Sequence, residues 1–260
     1  VTEAAVPTAP SAVRARRGGW RARLGYLIYV AAGRVDWAEP EIKGLDQVVK
    51  PGDTVLDIGA ALGMYTVPLG YLIGRTGRID SFDPQPRNYV TVRVLRALTG
   101  IGRGKLRRLA LGPQAGRGEI IVPLRGAFPI FGHGHITPDA PTGRRTHRVP
   151  TDIDTVDAWV EREALPRIAF IKIDVEGFEP LVIAGAGRVI DRDRPTLLME
   201  IEDRHLVRYG RDAAGFLAEI RERWPEYRMY TWVDGAWTAT EVVRPEVRNY
   251  LFATDDALAA

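Results

Sequence analysis

The chain has 260 residues, 45% hydrophobic and 27% charged, the balance of a globular protein with a full core. A formal net charge of +3, with arginines spread along the chain, does not indicate nucleic-acid binding, although residues 14–23 and 144–148 are locally basic. The absence of cysteine excludes disulfides, thiolate metal sites and a cysteine nucleophile.

Residues 1–19, rich in Ala, Pro and Arg, read as a disordered basic tail. The run RARRGGWRARLGYLIYVAAG places a basic segment before an apolar stretch, as a signal peptide does. Two tyrosines dilute that stretch, so an amphipathic helix in a cytoplasmic protein is the preferred reading. No apolar run reaches the roughly 20 residues that span a bilayer, so no stable membrane insertion is expected. Residues 20–50 read as an N-terminal helical segment with breaks around Gly33 and Pro40, a cap or acceptor side for a domain over 51–260.

Strands and helices then alternate. TVLDIG (54–59) is a strand, 62–74 a helix with Pro68 near its first turn or at a kink, GRIDSFDP (77–84) a strand, and 87–100 a helix closed by Gly100. KLRRLALG (105–112) reads as a third strand and 118–124 as an extra one. Residues 125–145 read as a variable loop, and THRVP (146–150) as extended. A helix over 154–163 carries Asp152 or Asp154 near its cap. A strand over 167–177, a helix over 179–190, a strand over 194–202 and a helix over 213–223 follow. The chain closes in strands around the Asp234-Gly235 hairpin signal. Such alternation specifies an α/β fold, a parallel sheet with helices on both faces. Ligands in such sheets bind at the carboxyl ends of the strands, near the switch point of strand order.

Two strand ends there suit a nucleotide-type cofactor. VLDIGAALG carries Asp57, Gly59 and Gly63 in a D-x-G-x-x-x-G turn, and Ala61 breaks the dinucleotide G-x-G-x-x-G pattern. SFDPQP carries Asp83, placed either to accept hydrogen bonds from ribose hydroxyls or to cap the next helix. The third end, FIKIDVEGFE, starts apolar and finishes in charge. Read with period two, Lys172, Asp174 and Glu176 share one face. Three roles stand open. Asp174 could take a proton from an acceptor hydroxyl. Asp174 and Glu176, with Glu200 from the next strand, could hold magnesium. Lys172 and the carboxylates could form a structural ion-pair network.

VLDIGAALGMYT, FDPQPRNY and IKIDVEGFEPLVIAGA together resemble the FkbM-type methyltransferases, with TDIDTVDAW and LLMEIE in support. The resemblance implies a Rossmann-like class I methyltransferase fold: a mostly parallel seven-stranded sheet with an antiparallel C-terminal strand, expected at the Asp234-Gly235 hairpin. It implies S-adenosylmethionine as cofactor, with Asp57, Gly59, Ala61 and Gly63 around its methionine part, Asp83 on ribose and Ala110 near adenine. It implies O-methylation of a sugar, glycan or polyketide-type small molecule. The sequence departs from the family at Ala61, where asparagine is usual, and at Asp83, where glutamate is usual.

On that reading Asp174 is the base or orienting carboxylate, supported by Glu176 and Glu200, with Lys172 holding Asp174 ionised. Magnesium is the less favoured alternative. His133 and His135, on a glycine-flanked loop, are weaker candidates for a base delivered by a lid. His205 has a small claim to the pocket, and His147 reads as structural or exposed. A nicotinamide-type oxidoreductase and a non-catalytic methyltransferase-like module are the alternatives. Acceptor identity and oligomeric state are not legible.

Overall fold

The computed structural model describes residues 20–32, 39–125, 128–129, 135–136 and 146–259. Helix α1 (Trp20–Ala32) precedes a 3-10 turn (Pro40–Gly44) and the short α2 (Leu45–Val48). Strand β1 (Thr54–Ile58) feeds α3 (Thr66–Ile73), and β2 (Arg78–Phe82) feeds α4 (Pro86–Thr99). Gly100 closes α4 in the left-handed conformation, where a side chain would be strained.

The chain continues through β3 (Leu106–Arg107), β4 (Ala110–Leu111), β5 (Gly116–Arg125), β6 (Phe128–Pro129), β7 (His135–Ile136) and β8 (Thr146–Asp154). Helix α5 (Val156–Arg162), β9 (Ile168–Ile173), α6 (Glu179–Ala184), α7 (Gly187–Asp193) and β10 (Thr196–Glu200) follow. Then come α8 (Asp203–Leu206), α9 (Ala213–Arg223), β11 (Arg228–Val233), β12 (Ala236–Ala239), β13 (Asn249–Ala253) and α10 (Asp255–Ala259).

The main sheet has the order β12-β11-β13-β10-β9-β1-β2-β3. β3, β2, β1, β9 and β10 are parallel, and β13 enters antiparallel between β10 and β11. Strand order reverses between β1 and β9, so the crevice lies at their carboxyl ends. Alternate residues sort into two cores. Leu56, Ile58, Ile171 and Ile173 pack under α5, α6, α7 and α9, while Val55 and Phe170 pack under α3 with Tyr29 of α1. Burial on both faces explains why these strands read as continuous apolar runs.

Several expected elements change. The third strand splits, because β2 ends at Phe82, paired with Arg107, and leaves the rest of the segment without ladder partners there. The backbone finds new ones in β8, beginning a second sheet ordered β4-β8-β5-β6. The region expected as a loop carries β6 and β7, both paired to β5. The cap of α5 is Thr155, whose hydroxyl accepts the Ala158 N–H; Asp154, as expected, stands next to the cap and accepts the Thr155 N–H. The single helix expected over 179–190 breaks at Gly185, where a Cβ would sit 2.0 Å from the Gly112 carbonyl oxygen. The Asp234-Gly235 hairpin joins β11 to the edge strand β12, whereas the strand inserted antiparallel is β13. The tail over 1–19, with its signal-peptide alternative, and the break at Gly33 lie outside the described residues.

Candidate active site

The crevice is built where the ends of β1 and β9 touch. Gly59 has φ +85, and a Cβ there would lie 1.8 Å from the Asp174 carbonyl oxygen. Only glycine allows both that backbone conformation and that approach. Ala61 then takes φ +43, and its N–H donates to Asp83 Oδ2 at 2.8 Å. Asp83 also accepts the Gln85 N–H at 2.8 Å and the Asn88 side-chain amide at 3.0 Å. Asp83 is therefore not the cap of α4, which is Gln85; it holds the backbone of that residue and faces the crevice. Burial pushes its carboxyl up to about 6, against the pull of these hydrogen bonds.

The cavity here has a volume of about 280 Å³. Towards β2 and β4 it is apolar, lined by Phe82, Leu109, Ala110 and Leu111. Gln85 and Asn88 also line it, and their side-chain oxygens are buried without a hydrogen-bond partner among the described residues. Such unpaired acceptors are costly unless a ligand donates to them. Towards β9 the wall is acidic: Glu39, Asp174 and Glu176. An apolar slot beside unpaired acceptors suits a nucleoside, so the residues present fit S-adenosylmethionine. Asp83 already accepts three hydrogen bonds from within the chain, so only part of its accepting capacity is free.

Of the predicted cofactor residues, Gly59, Ala61, Asp83 and Ala110 line the cavity. Asp57 and Gly63 do not. Asp57 is buried beneath the floor, where its carboxylate accepts the Thr66 hydroxyl, and burial pushes it up to about 6. The backbone following Asp57, rather than its side chain, forms the wall.

Of the predicted catalytic residues, Asp174 and Glu176 line the cavity, while Lys172 and Glu200 support it from behind. The period-two reading is corrected in one respect: β9 ends at Ile173, and Glu176 turns into the left-handed region at φ +58. Its carboxylate leaves Lys172 and meets His205 Nε2 at 3.1 Å. Lys172 Nζ, fully buried, donates to Asn249 Oδ1 at 2.6 Å, lies 3.4 Å from Asp174 Oδ2, and sits 4.7 Å from the Tyr65 ring centroid. Tyr65 in turn hydrogen-bonds Glu39 and, at 2.9 Å, Glu41. Burial disfavours the Lys172 charge, but Asp174, Glu39, Glu200 and Glu41 outweigh it and raise the ammonium above its ordinary value.

Asp174 keeps 24% of its side-chain surface exposed. Desolvation pushes its carboxyl up to about 7; Lys172 pulls it down, and Glu200, Glu39 and Glu176 push it further up. Burial also opposes ionisation of Glu200, yet the His205 hydrogen bond and the Arg248 and Lys172 charges hold it down to about 2. Glu200 pairs with Arg248, which itself lines the cavity and reaches Glu202 at 2.6 Å.

The cation alternative grouped Asp174, Glu176 and Glu200. The structure instead groups Glu176, Glu200 and His205, with ligand atoms within 4.8 Å of one another. His205 stands between the two carboxylates, Nδ1 at 3.3 Å from Glu200 and Nε2 at 3.1 Å from Glu176, the geometry of a hydrogen-bonded clamp. His205 thus braces the wall. His133 lies outside the described residues; His135 belongs to β7, its side chain outside them too. His147 is exposed on β8. Glu39, Tyr65, Gln85, Asn88, Arg248 and Asn249 escaped the sequence reading. Gln85 and Asn88 stand inside the quoted FDPQPRNY motif, where a polar side chain after Asp83 was the available signal.

Fold and crevice together define a class I methyltransferase dependent on S-adenosylmethionine. The Methyltransferase FkbM domain profile matches residues 57–227, and the chain belongs to that family. Among solved structures, the chain is similar to Methyltransferase FkbM from Methylobacillus flagellatus KT, at 15% identity and a TM-score of 0.51, covering 88% of this chain and 58% of that one. An O-methyltransferase from Bacillus cereus in complex with SAH aligns at 13% identity and a TM-score of 0.48, covering 90% of each chain. Among curated proteins, Ribosomal RNA large subunit methyltransferase E of Acidithiobacillus ferrooxidans is 36% identical over 74 residues. That match spans 28% of this chain and 29% of the relative's length.

Proposed function

We propose that the protein is an O-methyltransferase acting on a hydroxyl of a sugar, glycan or polyketide-type metabolite. The observation that carries this reading is the Asp174 carboxylate, facing the cavity beside the buried Lys172 ammonium. When bound, the cofactor would supply an electrophilic methyl group on a sulfonium. Gly59, Ala61, Gln85 and Asn88 would hold it, with its adenine against Ala110 and Leu111. Asp174 would orient the acceptor hydroxyl and take its proton as the oxygen forms its new bond to carbon. Lys172 favours the ionised carboxylate, and Tyr65 and Asn249 keep Lys172 in place.

Glu39 lies in the cavity wall, which supports residues 20–50 as the acceptor side of the domain. An acidic wall of Glu39, Asp174 and Glu176 repels phosphate, which favours a neutral small molecule or glycan over nucleic acid as acceptor. A cytoplasmic location belongs to the same reading, because the cofactor is a cytoplasmic metabolite. Calorimetry with S-adenosylhomocysteine and with NADH tests the cofactor; binding of NADH alone would sink the reading. Transfer of labelled methyl to a panel of neutral glycosides, anionic sugars and RNA tests the acceptor. Preferred methylation of RNA would overturn that part.

A further inference from the structure

On the face of the sheet away from α5, the helices α1, α3 and α4 contain no aspartate or glutamate. The two outer helices expose apolar side chains at helical spacing. On α1, Trp20 and Leu27 are 62% and 61% exposed, and on α4, Val90, Val94 and Leu98 are 44–48% exposed. α1 packs on the end of α4, where a Cβ at Gly100 would lie 3.3 Å from the Arg21 Cβ. Around them stand exposed arginines, Arg21 and Arg23 on α1, Arg93 on α4 and Arg75 after α3. None of the four has a carboxylate partner among the described residues. A groove of about 760 Å³ opens between these helices, lined by Trp20, Arg21, Gly25, Tyr71, Arg75 and Arg103.

Exposed aliphatic and tryptophan side chains among arginines without carboxylate partners, on helices that carry no acid, match a lipid interface. The apolar stripes would enter the acyl boundary while the guanidinium groups meet headgroup phosphates. Nucleic acid satisfies only the arginines and leaves Leu27, Val90, Val94 and Leu98 facing a polar phosphate backbone. A second copy presenting the same face would oppose arginine to arginine. We propose that the α1–α4 face is a docking surface for an anionic phospholipid bilayer, on which the protein lies without spanning it. α4 begins at the cavity, where Asn88 is in the wall, so the docked face runs up to the crevice. No helix among the described residues is long and apolar enough to cross a membrane.

The experiment is co-sedimentation of the full chain with vesicles of phosphatidylcholine and with mixed phosphatidylcholine–phosphatidylglycerol vesicles. Binding to the mixed vesicles is expected, weakening with salt. The combined Trp20→Ser, Leu27→Gln, Val94→Gln variant should lose at least about tenfold in vesicle affinity. Arg21→Gln with Arg93→Gln should lose about fivefold per charge removed. S-adenosylhomocysteine affinity, read separately, should stay unchanged in both variants, because none of these residues lines the cofactor cavity. Three results would each overturn the proposal: equal affinity for neutral vesicles, unchanged binding by the triple variant, or a dimer that the triple variant dissociates. Tighter binding of an RNA oligomer than of the mixed vesicles at the same salt would do so too. Because vesicle binding is measured without methyl transfer, its failure is distinct from failure of the catalytic reading.

Discussion

β1 and β9 lie side by side and stop at the same level of the sheet, yet their ends are built in opposite ways. After β1, the carboxylate of Asp57 turns under the floor to Thr66, and the backbone of Gly59 to Ala61 forms the wall. After β9, the cation Lys172 is buried and the carboxylates of Asp174 and Glu176 form the wall. One end recognises with main chain, which is uncharged and fixed. The other presents charge, held by Lys172, His205 and Arg248. On the proposed reaction a cofactor needs a rigid seat and a hydroxyl acceptor needs a proton-accepting group, and the division would serve those two demands.

The two ends meet at Gly59, and the largest effect is expected there. Gly59→Ala forces a Cβ to 1.8 Å from the Asp174 carbonyl oxygen, with φ at +85. Backbone cannot give way as a side-chain tip does, so a loss of about 3–5 kcal/mol in denaturant unfolding is expected. Gly63→Ala, also at positive φ, meets only the tip of Leu95 at 3.1 Å and should cost less. Equal losses at the two glycines would break the claim that the strand ends are locked together.

Asp174→Asn separates the two functions. Methyl transfer should fall by about 10²–10⁴, while affinity for S-adenosylhomocysteine changes by less than about threefold. A retained rate would remove Asp174 from the proton path. The carboxylate must be ionised to accept a proton, and its pKa is raised to about 7 by burial and neighbouring carboxylates. The wild-type rate should therefore rise with pH through the neutral range and level off above it. A rate flat from pH 5 to 9, measured at saturating cofactor, would contradict that role.

The contrast also explains what could be read in the sequence. The β1 end is local: Gly59, Ala61 and Asp83 sit in two short motifs, and apolar runs alternating with helices gave the sheet. The C-cap at Gly100 was legible for the same reason. The β9 end is assembled from afar. Glu39 reaches it through Tyr65, Asn249 arrives with the last strand, and Arg248 comes from the turn before it. No spacing rule relates residues 39, 65, 172 and 249. The split of the third strand was hidden too, because the β8 backbone that captures Ala110 and Leu111 lies some forty residues on in the chain.

Glu179 tests how far the acidic end is buried. It is 1% exposed, it accepts the Val175 N–H at 2.8 Å, and burial raises its pKa from 4.5 to about 8. Between those values the unfolded chain has released its proton while the folded chain retains it, so stability falls as pH rises. Glu179→Gln keeps the acceptor and has no proton to lose. It should lessen the stability difference between pH 5 and pH 8.5 by up to about 4 kcal/mol. Part of the slope should survive, because Glu41, raised to about 7, titrates in the same window. An unaltered slope in the variant would place Glu179 in contact with water.

The smallest effect lies at the main-chain end. Ala61 holds φ +43, a conformation that costs a residue with a Cβ roughly 1–2 kcal/mol. Its N–H is fixed on Asp83, so it cannot relax without releasing that bond. Ala61→Gly removes the Cβ penalty but adds freedom to the unfolded chain, which returns about 0.4–1 kcal/mol. A net gain of about 0.5 kcal/mol is expected in denaturant unfolding. Ala61→Asn should gain a comparable amount, because asparagine tolerates this region best among residues with a side chain. Asparagine also adds a polar group at the cavity wall, so it alone should tighten S-adenosylhomocysteine binding. If both variants tightened it equally, strain in the turn, and not the missing polar contact, would be what alanine costs this site.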